Sequence, residues 1–170
     1  MRNLTWSTSE AVWIDEIDDQ HKEIFEGVGR FQKSLSASAP RAEIHQALEA
    51  LTTSITEHFA HEERLMRAAR YPSLRWHKKL HDGASRKVAE FVAQIDDGRR
   101  DAGHELVEYL SGWLRRHTRV ADRMLGAYLR NRMRSIGKLT FRAGTRPAEA
   151  CAWVDATGNR FDPLARATSL

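Results

Sequence analysis

Four side chains near the middle of the chain have the types and spacing to hold a metal ion together: His58 with Glu62, and His77 with His81. Residues four apart on an α-helix lie on one face, one turn above each other, so each pair can aim two donors at one point. Between the pairs, Arg70-Tyr71-Pro72-Ser73 reads as a turn, because proline cannot continue a helix and disfavours helix at the residue before it. Two helices folded back across that turn would bring the four donors together inside a helical bundle.

Further donors lie on either side. His21 falls near the start of an earlier amphipathic segment, and His117 falls in a later one with Asp122 five residues on. On an ideal helix an i,i+5 pair is offset by about 140°. His117 and Asp122 therefore share no strict face, but they could flank a site that holds two metal ions. The full set is His21, His58, Glu62, His77, His81, His117 and Asp122: five imidazoles and two carboxylates. A carboxylate can bridge two ions through its two oxygens, and a mixed nitrogen and oxygen set suits iron, with zinc or manganese fitting less specifically. One tetrahedral zinc needs only four ligands. A lone histidine on an apolar helix face is more often a hydrogen-bonded core residue, and His45, His61 and His104 are read as surface or structural. Two rival motifs fail: His61-Glu62 is followed by Leu65 where a zincin needs histidine, and no Glu-x-x-His of the ferritin-like di-iron type occurs.

The elements that must position these donors are all helical. Residues 1–17 form an arm anchored by Trp6 and Trp13, and Asp18 or Asp19 could cap the first helix. That helix carries Ile24, Phe25, Val28, Phe31 and Leu35 at helical spacing and fades at Ser36-Ala37-Ser38-Ala39-Pro40. A second helix spans about Arg41 to Ala68, and a third about Leu74 to Ile95, closed by Asp96-Asp97-Gly98. A fourth, from about Ala102 to Met133, turns Leu106, Leu110, Trp113, Leu114, Val120, Leu125 and Leu129 inward. Four amphipathic helices with short loops predict an all-α, up-down-up-down antiparallel four-helix bundle over residues 1–133. Residues 134–170 are a short C-terminal extension, either a small β-hairpin using Lys138-Leu139-Thr140-Phe141 and Cys151-Ala152-Trp153-Val154 or a disordered segment.

Composition limits the function. No stretch approaches the roughly 20 apolar residues that span a bilayer, and Met1-Arg2-Asn3-Leu4-Thr5-Trp6 has no secretory apolar run. A cytoplasmic protein without a membrane partner is expected. The single Cys151 cannot build a thiolate metal cage. Net charge is +4, of which the segment from Arg134 onward carries +3, six basic residues against three acidic. Arg115, Arg116, Arg119, Arg123, Arg130 and Arg132 add a basic cluster, read as a solvated helix face rather than a nucleic-acid surface.

The sequence resembles the hemerythrin family, specifically bacterial hemerythrins, over about residues 3–130. The resemblance rests on Ile17-Asp18-Asp19-Gln20-His21-Lys22, on His58-Phe59-x-x-Glu62-Glu63-x-x-Met66, and on Tyr71-Pro72 leading to His77-x-x-x-His81. It ends with Trp113-Leu114-x-x-His117 and Asp122. It implies two iron ions bridged by Glu62, Asp122 and an oxo or hydroxo group, one on His77, His81 and His117, the other on His21 and His58. The second has an open position for O2 and other small diatomic or anionic ligands. Reversible O2 binding for transport, storage, delivery or sensing would follow. A di-iron redox enzyme acting on peroxide or NO, or an iron-binding interaction module, is the alternative. Ile24, Phe25, Phe59, Trp113, Leu114 and Thr118 are the candidate O2 pocket.

Two positions depart from the family. Thr118 stands where an isoleucine is usual, and a hydroxyl there is expected to hasten autoxidation. Trp13 stands where glycine is usual in Ala11-Val12-Trp13-Ile14, so the arm should pack differently.

Overall fold

The computed structural model describes residues 4–99 and 101–141. The helices are α1 (Asp15–Ser36), α2 (Arg41–Ala68), α3 (Leu74–Asp96) and α4 (Ala102–His117). A π-helical turn, Thr118–Asp122, joins α4 without a break to α5 (Arg123–Phe141). The packed pairs are α1 with α2, α2 with α3, α3 with α4 and α4 with α1, a closed antiparallel ring. Loops 37–40, 69–73 and 97–101 leave room only for reversal between neighbours.

Each helix forms because its apolar residues recur every three or four positions and find cover. Ile24, Phe25, Val28 and Phe31 of α1 meet Leu48, Leu51, Ile55 and Phe59 of α2 in one apolar cluster, with Ala84, Val88 and Phe91 of α3 and Leu106, Val107, Leu110 and Leu114 of α4. A second cluster, Val12, Ile17, Met66, Ala69, Tyr71, Leu125 and Leu129, closes the other end. Along every helix the residues between these clusters are the metal-competent ones. The bundle is thus two apolar caps with a polar layer between them.

Helices α1, α2 and α3 end alike. A residue beyond each adopts positive φ, Ser38 at 49°, Arg70 at 54° and Gly98 at 82°. The next amide returns to a carbonyl of the last turn: Ala39 to Ser34, Tyr71 to Met66 and Arg99 to Gln94. Only Gly98 has the residue type that favours this conformation.

Several expectations are corrected. Helix α1 starts at Asp15, and neither Asp18 nor Asp19 caps it: the Asp18 carboxylate accepts hydrogen bonds from the backbone N–H of Val12 (2.8 Å) and Trp13 (2.9 Å). Trp13 is no buried anchor. It is 56% exposed, with φ 55°, and lies over the guanidinium groups of Arg123 and Arg130. That φ is the left-handed region glycine enters freely, which explains why a glycine suits this position. Val120 faces outward, 54% exposed, because the extra residue of the π turn advances the inward face by one position, to Ala121, Asp122, Leu125 and Leu129. Lys138–Phe141 is helix rather than strand: α5 runs past Met133 because extending a formed helix is cheap, and one internal Gly137 costs only about 1 kcal/mol. The second candidate strand, Cys151–Val154, lies outside the described residues. Among the described residues no helix is long and apolar enough to cross a membrane.

Candidate metal centre

The polar layer is built by all four helices. α1 supplies His21, α2 His58 and Glu62, α3 His77 and His81, α4 His117, and the π turn Asp122; all seven are buried. Their donor atoms form two sets. Glu62, His77, His81, His117 and Asp122 make one, and His21, His58, Glu62 and Asp122 the other, each with its atoms within 4.8 Å of one another. Both carboxylates belong to both sets.

The π turn makes this arrangement possible. An i→i+5 turn widens the helix locally, which brings His117 and Asp122 much nearer to one face and leaves His117 Nε2 2.9 Å from Asp122 Oδ1. The two oxygens of Asp122 then divide: Oδ1 lies 3.0 Å from His77 Nε2, and Oδ2 lies 3.1 Å from His21 Nε2. Glu62 Oε2 lies 3.3 Å from His77 Nε2, 3.2 Å from His81 Nε2 and 3.8 Å from His58 Nε2.

These contacts are not those of a hydrogen-bonded core. The Nε2 atoms of His77 and His81 each lie 3.1 Å from His117 Nε2, three ring nitrogens converging on one space. With metal–nitrogen distances of about 2.1 Å, two donors at right angles about an octahedral ion stand about 3 Å apart, and two in a tetrahedron about 3.4 Å. Both oxygens of Glu62, both of Asp122 and both ring nitrogens of His21 lack an aligned hydrogen bond although buried. Orphaned buried polar atoms in this number are costly, and cations bound among them would partner the carboxylate oxygens and His21 Nε2. The donor set fits a metal.

Protonation of Glu62, Asp122 and His58 agrees with that use, and His77 differs. Burial opposes ionised Glu62 and Asp122, and Asp122 repels Glu62, yet the imidazoles around them hold both well below the usual carboxylate range, so both are charged. Burial drives His58 down to about 3 and keeps it neutral. Burial also opposes charge on His77, but Asp122 and Glu62 push it up to about 9, so a metal bound there would displace its proton.

The sequence profile described as the hemerythrin HHE cation binding domain matches residues 13–129. The chain belongs to the hemerythrin family. It is similar to a bacteriohemerythrin of Pseudomonas aeruginosa, 36% identical over 72% of this chain and 78% of that one. It is also similar to myohemerythrin-1 of Phascolopsis gouldii, 30% identical over 69% and 87% of the two chains. A solved hemerythrin point mutant superposes with a TM-score of 0.70 at 28% identity, covering 76% of this chain and 98% of that structure.

Within this hemerythrin fold, two supporting residues were not assigned a role from sequence. Gln20 Oε1 lies 3.0 Å from His58 Nδ1 and accepts a hydrogen bond from Nδ1–H, which fixes the tautomer and aims Nε2 inward. Glu63 Oε1 lies 3.7 Å from His81 Nδ1 and 3.5 Å from Lys78 Nζ, and its Oε2 meets Arg67. Each adjoins a donor in sequence, and that adjacency was the available signal. His45 pairs with Arg41 and Asp96 and His61 with Glu16, outside both donor sets.

Of the six residues expected to line an O2 pocket, Phe59 shares the larger apolar cluster with Ile24, Phe25 and Leu114, and Trp113 packs against it. Phe59 stacks on His81 at 4.0 Å, and half-buried Trp113 stacks on His117 at 4.1 Å, so both rings brace the three-histidine set. Thr118 is fully buried, its hydroxyl 3.5 Å from the Arg115 carbonyl in its own helix.

Proposed function

We propose that this hemerythrin holds two iron ions in the polar layer and binds O2 reversibly there. The observation that carries the reading is the pair of donor sets joined by Glu62 and Asp122: two carboxylates shared between two groups of imidazoles are what a two-ion centre requires. In this reading His77, His81 and His117 hold one ion, and His21 and His58 the other. Two imidazoles against three leave the second ion with room for a small ligand. Iron bound there would supply two electrons to O2.

The residues of the chain determine what accompanies that binding. His58 and Glu62 need no proton transfer to do their part, because burial keeps one neutral and the imidazoles keep the other charged. Ile24, Phe25 and Leu114 cover one side of the layer with hydrocarbon and exclude water there, which slows loss of a charged product and favours return of O2 over release of its reduced form. Carriage, storage or delivery of O2 is favoured over turnover of peroxide or NO, since among the described residues the two donor sets contain no acid or base side chain beyond the seven donors.

The test is optical. The iron-loaded protein, reduced without air, should gain charge-transfer bands on adding O2 and lose them when O2 is removed. Immediate irreversible oxidation, or catalytic consumption of peroxide or NO, would replace the carrier with an enzyme. A Thr118→Ile variant should oxidise in air more slowly than wild type, because it takes a hydroxyl out of the apolar surround; equal rates would remove Thr118 from the O2 site.

A further inference from the structure

Glu10 is a carboxylate buried in the N-terminal arm, 1% exposed, and the family resemblance gives it no role. It accepts hydrogen bonds from Ser7 N–H (3.1 Å), the hydroxyls of Ser7 (2.6 Å) and Ser9 (2.8 Å), and Arg119 Nε (3.0 Å) and Nη2 (2.5 Å). Arg119 lies inside the π turn, between His117 and Asp122. Arg123, one residue beyond Asp122, donates to the backbone carbonyls of Ser9 (2.6 Å) and Ala11 (3.4 Å), and Arg130 donates to that of Val12. The arm backbone sits directly on α5 at Gly126, where a Cβ would fall 2.5 Å from the Val12 carbonyl oxygen.

The other end of the arm is tied to α1. Asp18, which takes the Val12 and Trp13 amides, lies one turn before His21. His21 in turn meets Asp122. A closed path therefore runs from Asp18 through the arm to Glu10, across to Arg119 in the π turn, and through Asp122 and His21 back to α1. A π turn is a local excess of one residue that helices rarely keep without support. Here its exposed side is clamped.

We propose that the arm is a brace, with Glu10 and Arg119 as positioning residues that hold the π turn in the register that places Asp122 across both donor sets. Neither touches a donor atom. This rests on the two-ion reading above, and the experiment separates the two.

Full-length wild type, Glu10→Gln, Arg119→Gln and the double variant are compared in two ways. First, metal-free protein is followed by amide hydrogen exchange. The single variants should exchange at least 10-fold faster over residues 117–123, with little change in the middle of α2 and α3. The double variant, in which two amides can pair and no charge is stranded, should recover part of that protection. Second, iron-loaded protein is exposed to a chelator. The single variants should release iron on the order of 10-fold faster, as when support around a metal site is lost, and their charge-transfer spectrum should shift. Should a single variant lose its helical circular dichroism, Ser9→Ala, which removes one bond to Glu10, substitutes for it with a smaller effect in the same segment.

Folded variants with wild-type exchange over 117–123 and wild-type release overturn the brace. Exchange that quickens evenly in all helices also overturns it, since that is general destabilisation. If wild type takes up no iron, the two-ion reading fails, and the exchange comparison alone decides the brace.

Discussion

Gln20 shows how much one side chain outside the donor layer contributes. His58 has two ring nitrogens, and only a fixed proton on Nδ1 leaves Nε2 as a lone pair for the site; Gln20 Oε1, 3.0 Å away, fixes it. Replacing it with leucine should preserve the fold and weaken metal binding by about 10- to 100-fold, measured by competition with a chelator. Unchanged affinity would mean His58 is oriented by packing alone. Arg70 is a second case. Its φ of 54° is imposed by the reversal that brings α3 back beside α2, and its side chain is exposed. Arg70→Gly should raise stability by about 1 kcal/mol, read as a higher denaturant midpoint with unchanged slope. The positive φ at Gly98 could be read from residue type; at Ser38 and Arg70 the helix end was legible in the sequence but the left-handed residue was not, because neither is a glycine.

At the scale of elements, the π turn is where sequence reasoning on ideal helices ran out. Seven donors were recognisable from type and spacing, and α2 and α3 matched closely because their donors repeat at four. His117 and Asp122 repeat at five, a spacing that makes one face only if the helix itself changes pitch, and Val120 was misplaced for the same reason. The arm was legible as an arm but not as a clamp, since the bonds from Arg119, Arg123 and Arg130 span more than a hundred residues. Those bonds also show that half of the basic cluster is engaged with the arm. Glu10 makes the clamp sensitive to acid. Burial opposes its charge, but Ser7, Ser9 and Arg119 outweigh it and lower its pKa from 4.5 to about 2. A depressed folded-state pKa contributes stability above 4.5 that is lost as pH falls through 4.5 towards 2. The stability difference between wild type and Glu10→Gln should therefore be full at neutral pH and shrink over that range, as thermal melts at a series of pH values would record. A difference independent of pH would contradict the ionised clamp.

For the molecule as a whole, the organising fact is a polar layer held between two apolar clusters. Five imidazoles and two carboxylates buried with orphaned atoms oppose folding, and the clusters on either side hold the helices together around them. Metal binding would turn that burden into stability, since an ion that binds only the folded chain shifts the equilibrium toward it. Helix α5 continues past residue 129, where the family match ends, to Phe141, and Asn131, Arg132, Met133, Arg134 and Ser135 are all exposed. The bundle is therefore complete before α5 ends. The most direct test of the account is metal content with magnetic coupling, wild type beside Asp122→Ala. Wild type should hold two irons per chain whose spins couple through shared ligands, and Asp122→Ala should lose both the coupling and at least one ion. One iron per chain, or two that are magnetically independent, would contradict a centre built on shared Glu62 and Asp122.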